Sequence, residues 1–225
     1  MEQTPALIAE KPNVRAQFGR LAGWTYLGAD IGLTFKGPLE KILSDGVSNV
    51  HLADFGEALQ MDGFSTTSGL IFTASGIVMM AFGDKNKPMA AACALGAVGW
   101  GVMTAESVAH HEGPWPMASK ILSIGVSGYA AYQAYNQRSV DEIETDRPRL
   151  DSKFKENWRS FNERYPLALS GAADIALKVG ITSEAIASGS PVMKAVCALW
   201  ICGSTLWGLA LPKVKKTPNE ALFTP

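Results

Sequence analysis

Hydrophobic and polar positions along the chain separate into long blocks. Four stretches carry no charged side chain, and Lys and Arg crowd the segments between them. Each stretch is long enough, or nearly so, to cross a hydrocarbon core of about 30 Å, which needs roughly 17–25 helical residues. The pattern therefore predicts an all-α fold, a polytopic integral membrane helical bundle. The charge-free stretches are 63–83, 88–105, 121–137 and 195–212.

Six transmembrane helices are predicted, and they form a single membrane domain over 1–225. Charge-free stretches supply four of them. The first and fifth each contain an ionisable residue near the middle, and are included because the charge pattern requires them. The predicted spans are 17–35, 64–83, 88–106, 118–137, 165–183 and 192–212.

The distribution of basic residues predicts the orientation of these spans. With a cytoplasmic N-terminus, the inner segments contain fifteen Lys and Arg residues and the outer segments three. Such an excess is typical of cytoplasmic loops, and it appears only with six spans and both termini inside. The polar N-terminus lacks the apolar core of a secretory signal peptide, so none is expected. The inner segments are 1–20, 84–87, 138–164 and 213–225, and the outer charges are Lys36, Lys41 and Lys120.

Two connecting segments, 39–59 and 150–164, have the periodicity of interfacial amphipathic helices. In the second, Phe154, Trp158 and Phe161 form an apolar stripe among basic residues. A basic amphipathic helix on the cytoplasmic side is expected to lie on anionic lipid headgroups. A solvated linker helix is the alternative interpretation.

Two pairs of segments resemble each other within the chain. Residues 89–95 resemble 193–199, which raises the possibility of an internal repeat of two hairpins, 64–106 and 165–212. Helices of such hairpins would run in opposite directions, as in inverted-repeat transporters. A second likeness, between 28–33 and 172–177, relates different spans and does not describe the same duplication. Chance similarity of Ala- and Gly-rich helices is the alternative.

Glycines at a spacing of four residues occur twice in the first span. Gly19 and Gly23 form one pair, and Gly28 and Gly32 form the other. Small residues at this spacing let helix backbones approach closely in lipid, although such matches are frequent in any Gly-rich helix. The expected partners are the lipid bilayer and other membrane subunits, or a second copy held through Gly-rich helix faces. A net charge of −1 gives no indication of nucleic-acid binding.

Asp30, Asp174 and Lys178 are the candidate residues of an ion or substrate path. A carboxylate within a bilayer is costly, by about 2.5–3.5 kcal/mol on insertion scales, and often marks such a path. Lys178 follows Asp174 by one helical turn, which permits an ion pair within the helix. The alternative is a structural polar contact between helices, with Lys194 or a backbone group as the partner.

Glu106, His110 and His111 are candidate metal ligands, because Glu106 and His110 share a face if the third span continues. A solvated polar helix end, with neighbouring Glu112, is the more ordinary interpretation. No cofactor is expected, and the three cysteines lie in apolar stretches, where they are expected to be buried. The chain contains no GxSxG, GxxxxGK[ST], strand-borne GxGxxG or HExxH motif, which argues against the enzymes that use them.

These features leave two functions open. One is a small multi-pass transporter or channel-like protein that moves an ion or small solute past intramembrane carboxylates. The other is a non-catalytic accessory, assembly or scaffold subunit of a larger membrane complex. A soluble helical protein is a third possibility, because short Gly-rich segments also form core helices.

Overall fold

Residues 14–59, 63–137, 152–187 and 189–210 are described in the computed structural model, and within these ranges the chain is helical with no β-strand. The all-α prediction is confirmed for this part of the protein. Six long helices are accompanied by three shorter ones and a 3-10 turn at Val47–Asn49. The helices are α1 (Val14–Thr34), α2 (Lys36–Asp45), α3 (Leu52–Leu59), α4 (Gly63–Phe82), α5 (Asn86–Ala109), α6 (Pro114–Tyr135), α7 (Lys153–Arg164), α8 (Ala168–Ala187) and α9 (Pro191–Gly208).

Local sequence explains where several helices begin. The Ser190 hydroxyl caps α9 by accepting a hydrogen bond from the Met193 backbone N–H at 3.1 Å. Pro191 then occupies the first turn, where its missing N–H costs little. Ser152 caps α7 in the same way through the Lys155 N–H, at 3.2 Å. These caps satisfy backbone donors that have no partner within the helix.

The six long helices form a closed ring in the order α1, α4, α5, α6, α8, α9, with α9 packing against α1. Neighbouring helices run antiparallel: Gly19 of α1 meets Gly83 just after α4, while Gly203 of α9 meets Tyr26 of α1. An even number of alternating helices allows the last to pack antiparallel against the first. The ring therefore closes without a parallel pair.

The six long helices begin and end within four residues of the six predicted spans. Their assignment as membrane spans is not confirmed. Among the described residues, only α5 is long and apolar enough to cross a membrane by length and composition, and Thr66–Phe82 is a shorter apolar helix. Gly, Ser and Thr lower the hydropathy of the other helices, and α1 and α8 also contain charged residues.

The segment 39–59, predicted as one amphipathic helix, is divided in the structure. Gly46 has a φ of 87° and ends α2, and a 3-10 turn separates it from α3. That φ lies in a region that glycine occupies at little cost and that continues no helix. The second amphipathic prediction, 150–164, corresponds to α7; residues 150 and 151 lie outside the described ranges, as do 1–13, 138–149 and 211–225.

The ring order does not allow the two predicted hairpins to be an inverted repeat. Hairpin α4–α5 and hairpin α8–α9 lie on opposite sides of the ring, and their first helices run in opposite directions. An inverted repeat is related by a two-fold rotation that reverses the direction of each helix. The same rotation turns a clockwise order of successive helices around the ring into an anticlockwise order. Both hairpins follow the ring in the same sense, so such a rotation cannot superpose them. The similarity of 89–95 and 193–199 therefore does not describe an inverted repeat.

The two glycine pairs of α1 serve two different neighbours. Gly19 and Gly23 lie directly against the backbone of α4 and the turn that follows it, at Gly83 and Met80. Gly28 and Gly32 face side chains of α9 instead. The pairs are nine residues apart, and at about 100° per residue this places them on opposite faces of the helix. Helix α1 is thus held closely on both sides.

Replacing Gly23 by Ala is expected to destabilise the ring, because the new methyl group would overlap the α4 backbone, with the Met79 carbonyl carbon only 2.7 Å away. Overpacking of this kind costs about 1–3 kcal/mol. Gly101→Ala is the matched control, since nothing lies within 4 Å of its added Cβ. Thermal unfolding of the purified variants, followed by circular dichroism, should show a lower Tm for Gly23→Ala only. Equal Tm values would contradict the close packing described here.

Candidate functional site

A cavity of about 370 Å³ lies inside the ring, and all six long helices contribute to its wall. Its lining is largely apolar and aromatic, and includes Phe72, Trp100 and Trp200. Its charged lining residues are the three predicted path residues, Asp30 on α1 with Asp174 and Lys178 on α8. The fold therefore brings together residues that are up to 148 positions apart in the chain.

Asp174 is the centre of a network that joins three helices. Its Oδ2 atom accepts hydrogen bonds from Tyr26 Oη of α1 at 2.9 Å and from Ser204 Oγ of α9 at 2.5 Å. Lys178 Nζ is 3.2 Å from the same oxygen, so the ion pair that the sequence permitted is present. Asp174 is 4% exposed and Lys178 is 7% exposed. The carboxylate is thus held by one cation and two hydroxyl donors.

The ammonium group of Lys178 also lies among aromatic rings. Its Nζ atom is 4.5 Å from the ring centre of Tyr26, 5.5 Å from that of Trp200 and 5.9 Å from that of Trp100. At such distances a cation is attracted by the negative face of an aromatic ring. One carboxylate and three rings therefore stabilise the charge of Lys178.

Asp30 lies one turn beyond Tyr26 on α1, and is half-buried in the cavity wall. Within the described part of the chain it forms no ion pair; the Trp200 side chain acts on it as a hydrogen-bond donor, and the charge of Lys178 acts on it at longer range. Lys178 thus interacts directly with Asp174 and more distantly with Asp30. Two carboxylates and one ammonium leave the wall with one net negative charge when all three are ionised.

The cavity extends toward the end of the ring where α1 ends. Leu33 and Thr34, in the last turn of α1, line it. At the opposite end, Gly19 contacts Gly83, and a Cβ placed on Gly171 would lie 2.8 Å from the Gly208 Cα. Close helix packing therefore narrows the interior at the end where α1 begins.

Sequence reasoning missed the partners of Asp174. Lys194, considered as one, is exposed on the outside of α9. The hydrogen-bond partners of Asp174 are instead Tyr26 and Ser204. The rings of Trp100 and Trp200 lie near the ammonium group of Lys178. One signal was available: Tyr26 precedes Asp30 by four residues and therefore shares its helix face.

The structure gives the predicted metal ligands a different setting. Among the described residues, no group of three or more His, Cys, Asp and Glu side chains is placed to hold a metal ion. Glu112 instead accepts from Lys120 Nζ at 2.8 Å and from Ser107 Oγ at 2.7 Å. This contact ties the α5–α6 turn to the first turns of α6. Glu106, His110 and His111 lie at the same end of α5.

Comparison with known proteins supplies no relative from which a function follows. No protein-family model, no curated protein and no solved structure matches the chain. The cavity and its charged residues are therefore the features of the protein that point to a function.

The Glu112 contact predicts a pH dependence of stability. Hydrogen bonds from Lys120 and Ser107 hold the pKa of Glu112 below its usual value of 4.5. A carboxyl with a lowered folded-state pKa stabilises the fold above its unfolded pKa, and that contribution is lost as the pH falls through the folded value. Tm measured from pH 7 down to acid should therefore fall less for Glu112→Gln than for the wild type. Parallel curves would show that the contact contributes nothing.

Proposed function

We propose that this protein is a six-span integral membrane transporter or channel-like protein, which moves an ion or small solute past Asp30, Asp174 and Lys178. One observation carries the proposal: three ionisable side chains from two helices face a single cavity inside the ring. Charged residues within a membrane bundle commonly face a water-filled path and mark the route of an ion or substrate.

The distribution of side chains between the inside and outside of the ring supports a lipid environment. Buried positions include Asp174, Lys178 and several serines beside the buried tryptophans, whereas many other large apolar side chains are exposed on the outside of the ring. Leu70 is 67% exposed and Trp24 is 60% exposed. Large exposed apolar surfaces on soluble proteins are uncommon, and a bilayer covers such a surface. Further exposed residues of this kind are Leu21, Ile31, Ile77, Val98, Ile121, Leu122 and Val179.

The dimensions of the ring also suit a bilayer. Its helices have 18–24 residues, which at about 1.5 Å per residue gives lengths of about 27–36 Å. A typical hydrocarbon core is about 30 Å thick. In the most apolar 18-residue segment of α5, only 33% of the residues are buried within the protein, whereas the core helix of a soluble protein is mostly buried.

On the orientation given by the basic residues, both termini are cytoplasmic and the cavity extends toward the opposite side. Helix α7 then lies on the cytoplasmic side. Its Phe154, Trp158 and Phe161 side chains are exposed beside Lys153 and Lys155, as an interfacial helix requires.

Extraction of membranes tests whether the ring spans a bilayer. The tagged protein is expected to stay in the membrane pellet after washing with alkaline carbonate and to be released by detergent, because six apolar outer faces contact lipid. A peripheral protein fractionated in parallel serves as the control. Release of this protein into the carbonate supernatant would exclude integral spans, and with them both membrane functions.

Asp30→Asn tests the path itself. Uptake of radiolabelled Na⁺ and Rb⁺ and of protons into proteoliposomes is expected to fall about tenfold or more, because a carboxylate on the route is lost. Tm should change little, since Asp30 forms no ion pair within the described chain and the Asn oxygen can still accept from Trp200. Asp45→Asn, at the exposed end of α2, is the matched control and should keep full flux. Unchanged flux in Asp30→Asn would argue against this route.

Asp174→Asn is expected to act mainly on stability, because it leaves Lys178 buried without its counter-ion. Breaking a buried pair in this way costs about 3–5 kcal/mol. The double variant Asp174→Asn with Lys178→Gln removes both charges and should recover part of the Tm. If the single variant is as stable as the wild type, the network around Asp174 does not hold the helices together.

An accessory or scaffold subunit is the second candidate, and the outer face of α6 favours it. Gly125 and Gly128 are exposed there with nothing within 4 Å of an added Cβ, next to exposed Tyr129 and Tyr132. Small residues on a lipid-facing surface allow another helix to approach closely. A subunit of this kind would show normal assembly and no flux in both the wild type and Asp30→Asn, whereas Gly128→Leu would prevent assembly.

A further inference from the structure

We propose that the ligand of the cavity is a monovalent organic cation with an apolar group, whose charge lies near Asp30 and whose apolar part packs against Phe72, Trp100 and Trp200. This inference rests on the proposed function for its role in transport, and it names the chemical class of the solute. The charge, the wall chemistry and the volume of the cavity each support it.

When Asp30, Asp174 and Lys178 are all ionised, the cavity has one unmatched negative charge, which one further positive charge would neutralise. Asp30 and Asp174 face one cation, Lys178, and the surroundings are largely apolar. An uncompensated charge in such surroundings is costly, so a cation that neutralises it binds favourably. An anion would be repelled, since one carboxylate in the cavity already has no matching positive charge.

Asp174 also retains an unused acceptor. Its three donors all converge on Oδ2, and among the described residues no hydrogen bond reaches Oδ1. Asp174 lines the cavity, so this oxygen and the Asp30 carboxylate are two acceptors for a ligand that carries an N–H or a diffuse positive charge.

The wall already stabilises an ammonium group. Lys178 lies within 6 Å of three aromatic ring centres, so the cavity is built from groups that attract organic cations. Phe72 extends the aromatic surface, because its ring meets that of Trp100 edge to face at 5.1 Å between centres. The same chemistry would attract a second ammonium group beside Asp30.

The volume and lining favour an organic ion over an inorganic one. A cavity of about 370 Å³ lies within the range of about 300–1,000 Å³ that is usual for small-molecule sites. A bare metal ion would leave most of this apolar wall without contact. A cation with one aromatic or branched aliphatic group would fill it.

Isothermal titration of the detergent-purified protein with benzyltrimethylammonium tests the inference. Benzyl alcohol and phenylacetate are the controls, because they keep the phenyl group and change the charge to zero or minus one. The cation is expected to bind, and the neutral and anionic probes to bind about tenfold more weakly or not at all. Equal binding of all three would show that only the apolar wall matters and would overturn the proposal.

Variants test where the charge lies. Asp30→Asn should weaken binding of the cation by about tenfold or more. Lys178→Gln should strengthen it, because a competing positive charge is removed; an anion site predicts the reverse of both changes. Trp200→Leu gives an independent reading if Lys178→Gln fails to fold, and should weaken binding of the cation, because the apolar group loses part of the wall that it packs against. Asp45→Asn should bind as the wild type does.

Binding and flux together separate this inference from the proposed function. Binding of the cation without flux of any probe would support the ligand class and contradict transport. Flux of Na⁺ or protons without binding of the cation would support transport and overturn the ligand class. Loss of both would overturn both.

Discussion

The convergence of three donors on one carboxylate oxygen is the contact on which the structure most depends. Asp174 is buried, and its charge is tolerable only because Lys178, Tyr26 and Ser204 all address Oδ2. These donors come from three helices, so the electrostatic requirement of one residue fixes how α1, α8 and α9 meet. Gly203, the residue before Ser204, allows α9 to approach α1 this closely, because a Cβ placed on Gly203 would lie only 3.3 Å from the Tyr26 ring.

The polar interior also lowers the mean hydropathy of the helices, and among the described residues only α5 is long and apolar enough to cross a membrane. The buried serines, the glycines at helix contacts and the charged residues of the cavity lie toward the cavity or the neighbouring helices, and each lowers the mean hydropathy of its helix. Helix α8 carries both Asp174 and Lys178, and α1 carries Asp30. The residues that would make a path are therefore the same residues that weaken the transmembrane signal.

The sequence was sufficient to locate the six long helices, since blocks of uncharged residues mark four of them and the distribution of basic residues requires the other two. It also placed Lys178 one turn from Asp174, because helical spacing is local. It could not show that Tyr26 contacts Asp174, 148 residues away, because that contact depends on the ring order. The division of 39–59 depends on the backbone angle of Gly46, which a periodic pattern of apolar residues does not reveal. Three tryptophans, Trp100, Trp200 and Trp207, line the cavity, and the sequence alone does not show this, because composition does not give the direction of a side chain.

One contact between neighbouring helices of the closed ring, that between α6 and α8, differs from the others and is here called the seam. Connections of three or four residues join α4 to α5, α5 to α6 and α8 to α9, and glycines bring α1 close to α4 and α9. Helices α6 and α8 are joined by neither so short a connection nor a backbone contact of this kind, and theirs is the least extensive contact in the ring. Lys178 and Asp174 lie on α8, beside this seam. If the ring spans a bilayer, a gap between α6 and α8 would connect the charged cavity sideways with the lipid, and a solute dissolved among lipid chains would have an entrance that does not pass through either end.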